Sequence, residues 1–419
     1  MSEYQEAVLG AILLDNDLYH RAGLLPIHFT DRKARRAYDA IRAAIERGEP
    51  ANLVTVGGML DPHDIPWLAG LTDYPGGSSD AYIRKVKAEA QHHWLWRLST
   101  EAKERLEAGE DCVAVQEFLE DGLTKISTHG HEEVRHLNDG LKSFVDELER
   151  RYAMFNSGQI AGVTTGFEIL DLDFGGFEGG KLYYVGARPS QGKSALLLNF
   201  ALGAARAGRR VGMITLESSE REAYARAFAQ IESVPNQNLR TGNVGKYMPK
   251  IINAATIVSE LPVWICDNPD LTTTQVAMVA RKMVSVHKVE CLYIDYLQYI
   301  RADKEVEERR DHVAATSRAL KALARRLDVP IVVAAQLRRD ADGRWPHLGD
   351  FAESSQIEKD ADVAMLLHEE RDAGVERHWI MIAKNRDGAT RNREVVFEKD
   401  FARFVAGISD NVVDTDSWP

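Results

Sequence analysis

The stretch that decides the fold is KLYYVGARPSQGKS, at residues 181–194. Its beginning, 181–186, is a short apolar run with two tyrosines and a valine, which is typical of a buried β-strand. Residues 193–207 then carry apolar side chains at helical spacing. A strand, a loop that ends in Gly-Lys-Ser and a helix predict a P-loop, in which backbone N–H groups and the positive end of the helix bind phosphate.

The P-loop predicts a nucleotide-binding role for Gly186, Ala187, Arg188, Pro189, Ser190, Gln191, Gly192, Lys193 and Ser194. We expect Lys193 to supply charge to the β- and γ-phosphates of ATP, and the Ser194 hydroxyl to bind Mg²⁺. The strict pattern has a glycine where this chain has Ala187, and Gly186 lies one residue earlier. The alternative, a chance glycine-rich turn, is disfavoured by the strand and the helix on either side.

Apolar runs of strand length alternate with helical patterns from residue 160 onward. The predicted strands are 181–186, 210–216, 262–266, 290–295, 329–335, 362–367 and 378–383, and the predicted helices between the first five are 193–207, 219–233, 273–287 and 312–327. Near-continuous apolar strands separated by helices indicate a sheet that is buried on both faces. The sequence therefore predicts an α/β fold with a mainly parallel sheet.

Two carboxylates stand at the ends of predicted strands. Asp295 ends the strand 290–295, where it can hold the water shell of Mg²⁺ beside a P-loop, although strands also end in Asp as a simple cap. Glu217 follows the strand 210–216, where the next strand of a P-loop sheet would deliver a base to orient the attacking water. The alternative for Glu217 is a surface residue at the start of a helix.

The first 155 residues have a different character. We predict a small all-α domain over 1–105 and a linker region over 106–155, followed by the ATPase domain at 156–408 and an acidic tail at 409–419. A linker helix is predicted over 133–154, with one narrow apolar stripe formed by Leu137, Leu141, Phe144, Leu148 and Tyr152. We expect this stripe to pack on a neighbouring subunit.

Composition narrows the class of protein. With 52 Lys and Arg against 64 Asp and Glu the formal net charge is −12, which disfavours a surface coated in nucleic acid but leaves room for a basic channel. Three cysteines, far apart, argue against a disulfide scaffold or a cysteine-based zinc module. No apolar run reaches 18 residues and no secretory signal is present, so we expect no membrane span and an intracellular location.

Further motifs occur in a fixed order along the chain. They are EAVLGAILLDN at 6–16, GARPSQGKS at 186–194, LESSE at 216–220, YIDYLQ at 293–298, AQLRR at 335–339, ESSQIEKDAD at 353–362 and AKNRDG at 383–388. In this combination the chain resembles the DnaB family of replicative DNA helicases over nearly its whole length. The resemblance implies a RecA-like ATPase domain, a homohexameric ring, and ATP and Mg²⁺ as cofactors.

The resemblance also implies roles for single residues. Glu217 would activate water, Asp295 would support Mg²⁺, and Gln336 would sense the γ-phosphate. Lys384 and Arg386 would reach the ATP of the next subunit, Arg386 as an arginine finger that stabilises the charge of phosphoryl transfer. Residues i and i+2 of an extended segment share a face, which agrees with a joint role. Without the resemblance, Lys384 and Arg386 are interpreted as a solvated pair at a strand end.

DNA contacts are implied for the segment after the strand 329–335. The candidate contacts are Arg338, Arg339, Arg344, Glu353 and Ser354. The family usually has an arginine where this chain has Ala352 and a glycine where it has Ser355. The implied partners are single-stranded DNA and forked duplex DNA, together with a primase and a helicase loader, in the cytoplasm of a bacterium and encoded by the cell or by a phage.

The sequence thus indicates an ATP-driven ring that unwinds duplex DNA at the replication fork and moves 5′ to 3′ on the encircled strand. One alternative is a RecA-like recombination ATPase, and another is a scaffold with a relict P-loop. Unwinding of a forked duplex without strand pairing would separate the first alternative from a helicase. An ATPase assay would separate the second.

Overall fold

The computed structural model describes residues 3–73, 79–112, 114–115, 118–119, 122–123, 137–303, 309–338, 344–351, 355–372 and 375–407. The chain divides into two compact units, Met1–Lys142 and Ser143–Pro419, and the division falls within the predicted linker region. The predicted acidic tail lies outside the described residues. Within the described ranges, no helix combines the length and the apolar character needed to cross a membrane.

The first unit is built from helices, as predicted. They are α1 (Glu3–Leu14), α2 (Asp17–Ala22), α3 (Arg32–Glu46), α4 (Leu53–Gly57), α5 (Ile65–Gly70) and α6 (Ser79–Glu107). Helix α3 begins where the Asp31 carboxylate accepts hydrogen bonds from the N–H groups of Lys33 and Ala34. Leu9 and Ile12 of α1 and Ile41 of α3 are fully buried in one core, because their helical spacing puts them on facing stripes.

The linker helix begins later than predicted. Helix α7 spans Leu141–Asn156, residues 137–140 form a short 3₁₀ turn, and 124–136 lie outside the described residues. On α7, Phe144, Leu148 and Tyr152 are exposed as one stripe. Within the second unit, the Arg151 guanidinium of this helix contacts the Glu178 carboxylate at 3.1 Å.

The second unit is an α/β domain with one nine-stranded sheet. Its strands are β1 (Leu182–Ala187), β2 (Val211–Thr215), β3 (Val263–Asp267), β4 (Cys291–Asp295), β5 (Ile331–Gln336), β6 (Val363–Asp372), β7 (Val375–Asn385), β8 (Arg391–Glu398) and β9 (Arg403–Ala406). The order across the sheet is β3-β2-β4-β5-β1-β6-β7-β8-β9. The six strands from β3 to β6 are parallel and the last three are antiparallel additions. The predicted mainly parallel sheet is therefore confirmed, whereas β8 and β9 were not predicted.

Helices cover both faces of this sheet. They are α8 (Glu168–Phe174), α9 (Lys193–Arg206), α10 (Glu220–Glu232), α11 (Asn236–Thr241), α12 (Met248–Glu260), α13 (Thr273–His287), α14 (Arg309–Leu327) and α15 (Ser355–Asp360). Successive strand residues point to opposite faces, so Tyr183 packs with Phe200 of α9 on one side, and Tyr184 packs in the core that contains Leu320 of α14 on the other. The carboxyl ends of β1, β2, β4 and β5 consequently meet at one edge, next to the P-loop.

Candidate nucleotide-binding site

The P-loop joins the end of β1 to the start of α9. The backbone is left-handed at Ser190, with φ of 66°, and at Gly192, with φ of 86°. A Cβ on Gly192 would lie 2.9 Å from the rings of Phe397 and Phe404, which stack with centroids 4.3 Å apart. A glycine is therefore required here both by the backbone conformation and by the close approach of β8 and β9.

Lys193 begins α9 and points back toward the edge of the sheet. Its Nζ lies 3.4 Å from the centroid of the Tyr296 ring. Burial lowers the pKa of Lys193, while the charges of Asp295 and Glu217 act to raise it. The three charged residues that the sequence predicted for phosphate, water and metal thus lie within electrostatic reach of one another.

Thr215 and Asp295 form a register pair across β2 and β4, close to Lys193. Thr215 Oγ1 and Asp295 Oδ1 are buried and have no hydrogen-bond partner among the described residues. Buried oxygen atoms normally have a hydrogen-bond partner or bind a ligand. A hydroxyl oxygen and a carboxylate oxygen are suitable ligands for Mg²⁺ or for a water molecule bound to it. The residues present therefore fit the expected magnesium ion.

Glu217 lies two residues beyond the end of β2. Partial burial raises the pKa of the Glu217 carboxyl, and the charge of Lys193 acts in the opposite direction. A raised pKa makes a carboxylate a better proton acceptor, which is the property that a general base requires. Helix α10 begins directly after Ser219, because the Ser219 hydroxyl and the Glu222 carboxylate form a capping box.

Gln336 is the last residue of β5 and the register partner of Ala187 at the start of the P-loop. Its backbone N–H donates to Gln298 Oε1 at 3.2 Å. The Nε2 group of Gln298 is buried and has no partner among the described residues. Sequence reasoning assigned no role to Tyr296 or Gln298, although both belong to the quoted YIDYLQ motif.

Lys384 and Arg386 lie together at the end of β7, away from the elements that carry Lys193. Lys384 Nζ donates to the carbonyl of Glu358 at 2.5 Å, and Arg386 Nη2 donates to the carbonyl of Lys359 at 2.5 Å. Both acceptors belong to the last turn of α15, whose carbonyls lack helical partners. In the part of the chain that the structure describes, neither cation contacts the P-loop of its own chain.

The candidate DNA contacts divide into three groups. Arg338 is exposed just beyond β5. Arg344 is held by the Asp350 carboxylate, with its two terminal nitrogens at 2.8 and 2.5 Å from the two oxygens. Arg339, Glu353 and Ser354 lie outside the described residues.

A cavity of about 810 Å³ adjoins the outer side of the P-loop. Its lining residues are Arg188, Pro189, Ser190, Gln191, Glu369, Arg371, Phe397 and Lys399. Arg188 was predicted as part of the P-loop. The other basic and aromatic lining residues are Arg371 of β6, Phe397 of β8 and Lys399 just after β8, and they were missed because β8 was not predicted and the predicted strand 362–367 ended before Arg371. Nearby, Glu369, Glu376 and His378 are the one cluster of metal-ligand type among the described residues. Arg371 and Lys399 already pair with the two carboxylates.

Comparison with known families now agrees with this geometry. Residues 162–406 match the DnaB-like helicase C terminal domain, and residues 2–87 match the DnaB-like helicase N terminal domain. The replicative DNA helicase DnaB of Treponema pallidum (strain Nichols) is 31% identical over 96% of this chain and 94% of its own length. The replicative DNA helicase DnaC of Bacillus subtilis (strain 168) is 30% identical over the same shares of the two chains.

Solved structures resemble the fold. A DnaB-like replicative helicase, described with its interactions with primase, matches with a TM-score of 0.75 at 23% identity, over 97% of this chain and 99% of that one. A separately solved ATPase domain matches with a TM-score of 0.60 at 26% identity, over 66% of this chain and all of that one. The P-loop, the sheet and the two family matches agree, and the chain belongs to the DnaB family of ATP-hydrolysing replicative DNA helicases.

Proposed function

We propose that each subunit binds ATP at the P-loop, with Lys193 against the β- and γ-phosphates and with Ser194 and Asp295 as the residues that hold Mg²⁺. The convergence of Lys193, Glu217 and Asp295 at one edge of the sheet is the observation that carries this proposal. The orphaned oxygens of Thr215 and Asp295 support the magnesium site. When bound, the ion neutralises negative charge on the phosphates.

Glu217 is the group that orients and deprotonates the attacking water. Its pKa is raised by burial, as a general base needs, and it lies on the loop after β2 beside Lys193. Gln336 reports on the γ-phosphate, since it ends β5 in register with the first residues of the P-loop. Lys193 keeps its charge near both carboxylates and stabilises the charge that develops on the phosphoryl oxygens.

The site is completed by a neighbouring subunit of a homohexamer. Lys384 and Arg386 bind carbonyls of α15, and Arg386 also pairs with Asp362, but neither contacts the P-loop of its own chain among the described residues. We therefore assign both to the ATP of the next subunit, where they exchange these contacts for phosphate, with Arg386 as the arginine finger. The exposed apolar stripe of α7 supports the assembly, because a helix with one apolar face needs a surface to cover it.

The nucleoside part of ATP occupies the cavity beside the P-loop. Phe397 offers a ring face for a base, and Arg371 and Lys399 offer donors for ribose or phosphate oxygens. The cavity directly adjoins Arg188 to Gln191, so a nucleotide whose phosphates lie in the loop reaches it without any rearrangement of the sheet.

The ring moves 5′ to 3′ on single-stranded DNA and opens forked duplex DNA. We assign the strand contacts to Arg338, Arg339, Arg344, Glu353 and Ser354, in the segment that follows β5. A primase and a loader are further partners, and a primase is recorded for the DnaB-like helicase whose fold this chain shares.

We place the protein in the bacterial cytoplasm, with domains at 1–105, 106–155 and 156–408 and a tail at 409–419.

The test measures ATP hydrolysis and forked-duplex unwinding in parallel, together with the mass of the particle in solution. Lys193→Ala should retain the hexamer mass and lose both activities, because the phosphates lose their principal charge partner. Lys246→Ala, at an exposed lysine outside the site, is the matched control and should keep both. Hydrolysis or unwinding by Lys193→Ala at the rate of the control would contradict the proposed site.

A further inference from the structure

Residues 337–338 and 344–351, here called the arm, are anchored to the strand that carries the P-loop. The N–H of Leu337 donates to the carbonyl of Ala187 at 3.0 Å, and Leu337 forms an isolated bridge with Phe351. A Cβ on Gly186 would lie 2.9 Å from the side chains of both Leu337 and Phe351. Leu337 and Phe351, at the two ends of the arm, therefore pack directly against Gly186, near the end of β1 and just before the phosphate-binding loop.

A second connection runs from the P-loop itself. Arg188 Nη2 donates to the backbone carbonyl of Arg344 at 2.8 Å, across a sequence separation of 156 residues. Arg188 also lines the cavity beside the P-loop. One guanidinium thus lies in the wall of the nucleotide site and holds the middle of the arm at the same time.

Asp350 fixes the position of that carbonyl. Asp350 is buried, and its carboxylate accepts two hydrogen bonds from the Arg344 guanidinium. It accepts a third, at 2.9 Å, from the backbone N–H of His347. Burial acts to raise the pKa of Asp350, but these bonds outweigh it and the pKa lies below its ordinary value. The carboxylate is consequently charged at neutral pH, and charge-assisted bonds hold the arm in this shape.

The outer side of the arm rests on the antiparallel hairpin. The Trp345 ring lies 4.5 Å from the His368 ring and 5.5 Å from the Trp379 ring, measured between centroids. His368 and Trp379 are register partners on β6 and β7. The arm is therefore held from two sides, by Arg188 of the P-loop and by a pair of aromatic rings on the sheet.

We propose that Arg188 transmits the state of the nucleotide site to the arm, and so couples ATP binding to the affinity of the arm for single-stranded DNA. A phosphate oxygen is a stronger acceptor for a guanidinium than a backbone carbonyl is. Bound nucleotide therefore competes for Arg188, and the carbonyl of Arg344 loses its partner when a phosphate oxygen accepts from the guanidinium. This inference rests on the proposed function, in which Arg188 lines the ATP site and Arg338 of the arm contacts DNA.

Thermodynamic linkage makes the proposal quantitative. If an ATP analogue changes the affinity for DNA by some factor, DNA must change the affinity for the analogue by the same factor. The test measures the dissociation constant of a labelled oligothymidylate with and without a non-hydrolysable ATP analogue, and that of the analogue with and without the oligonucleotide, all on the full chain. The wild-type chain should give one coupling factor, of about 5 to 150, from both directions.

Asp350→Asn is the principal variant, because it weakens the hold on Arg344 without touching the P-loop. Loss of about one hydrogen bond should lower the coupling factor about fivefold in both directions. Affinity for the analogue without DNA should stay within about twofold of wild type. Asp270→Asn is the matched control, since it alters an exposed Asp270–Arg301 pair away from the P-loop and the arm, and its coupling factor should equal that of wild type.

Arg188→Lys is the second variant, and it keeps the test valid if Asp350→Asn does not fold. It preserves one positive charge but loses the planar fork, so the coupling factor should fall whatever happens to the absolute affinity for nucleotide. A wild-type factor in both variants, or a factor of one in the wild-type chain, overturns the link. Failure of the wild-type chain to bind either ligand would instead contradict the proposed function.

Discussion

Glu217 and Lys193 face each other at the carboxyl edge of the sheet, and each alters the pKa of the other. Burial raises the pKa of Glu217 and lowers that of Lys193, and in both residues the opposite charge works against burial. In the proposed mechanism, turnover requires that Glu217 is deprotonated and Lys193 is protonated. As the pH falls through the raised pKa of Glu217 the base is lost, and as it rises through the lowered pKa of Lys193 the cation is lost.

We therefore expect a bell-shaped dependence of kcat/KM on pH, with both limbs closer to neutrality than ordinary glutamate and lysine would give. In Glu217→Gln, hydrolysis should fall by about 10² to 10⁴ and the acid limb should disappear from the remaining rate. ATP binding should persist, because the amide keeps the shape of the original side chain. The neighbouring Glu220→Gln serves as a control and should retain the acid limb. An unchanged acid limb in Glu217→Gln would remove Glu217 from the role of base.

At this scale the sequence predicted the residues better than their surroundings. Gly192-Lys193-Ser194 and Asp295 were identified from spacing and strand ends, and the structure brings Lys193 and Asp295 into one electrostatic cluster. Phe397, whose ring restricts Gly192, was missed because it comes from a strand more than 200 residues later. Contacts that distant depend on the fold and have no local signal.

The P-loop is also a packing element, since the antiparallel part of the sheet lies against it. Gly192→Ala places a Cβ 2.9 Å from Phe397 and Phe404 in a left-handed backbone. Left-handed backbone strain alone costs about 1–2 kcal/mol. We expect the free energy of unfolding of this variant, measured from the urea transition of the ATPase unit, to fall by more than that amount because the added methyl also collides with the two rings. Nucleotide binding should be lost as well.

Gly208→Ala provides the matched control for this effect. Gly208 is equally left-handed, with φ of 79°, but a Cβ there meets no atom within 4 Å. It should show the backbone strain alone and keep nucleotide binding. Equal losses in the two variants would mean that contact with β8 and β9 does not constrain the P-loop.

The elements themselves were predicted unevenly, for physical reasons. The buried parallel strands have continuous apolar runs, and helix α13 begins and ends at Thr273 and His287 as predicted. Strand β8, with the sequence RNREVVFE, lacks such a run, because Arg391 and Arg393 turn to the buried Asp173 carboxylate instead. Its pairing with β7 is a local hairpin, with Ile382 opposite Arg391, but the charge-rich sequence of β8 does not resemble a buried strand.

At the scale of the whole molecule, the exposed apolar stripe of α7 is the surface on which the proposed assembly can be tested. Phe144 is 60% exposed and Leu148 is 47% exposed. Leu148→Asp should shift the particle mass in light scattering from a hexamer to smaller species, because a buried unpaired carboxylate opposes docking. ATP hydrolysis should fall with the mass. Glu149→Asp, on the same helix, should leave both unchanged, and a hexamer in Leu148→Asp would exclude α7 as an assembly element.

Mixing two inactive variants tests whether the active site is shared between subunits. Lys193→Ala lacks the lysine that we propose for phosphate binding, and Arg386→Ala lacks the proposed arginine finger. Each variant should form rings, and neither should hydrolyse ATP alone. In rings assembled from equal amounts of both, about a quarter of the interfaces combine an intact Lys193 with an intact Arg386 from the adjacent subunit. Hydrolysis should then return to about a quarter of the wild-type rate. If Arg386 instead acted on the ATP of its own chain, every subunit in the mixture would lack one of the two groups, and no activity would return.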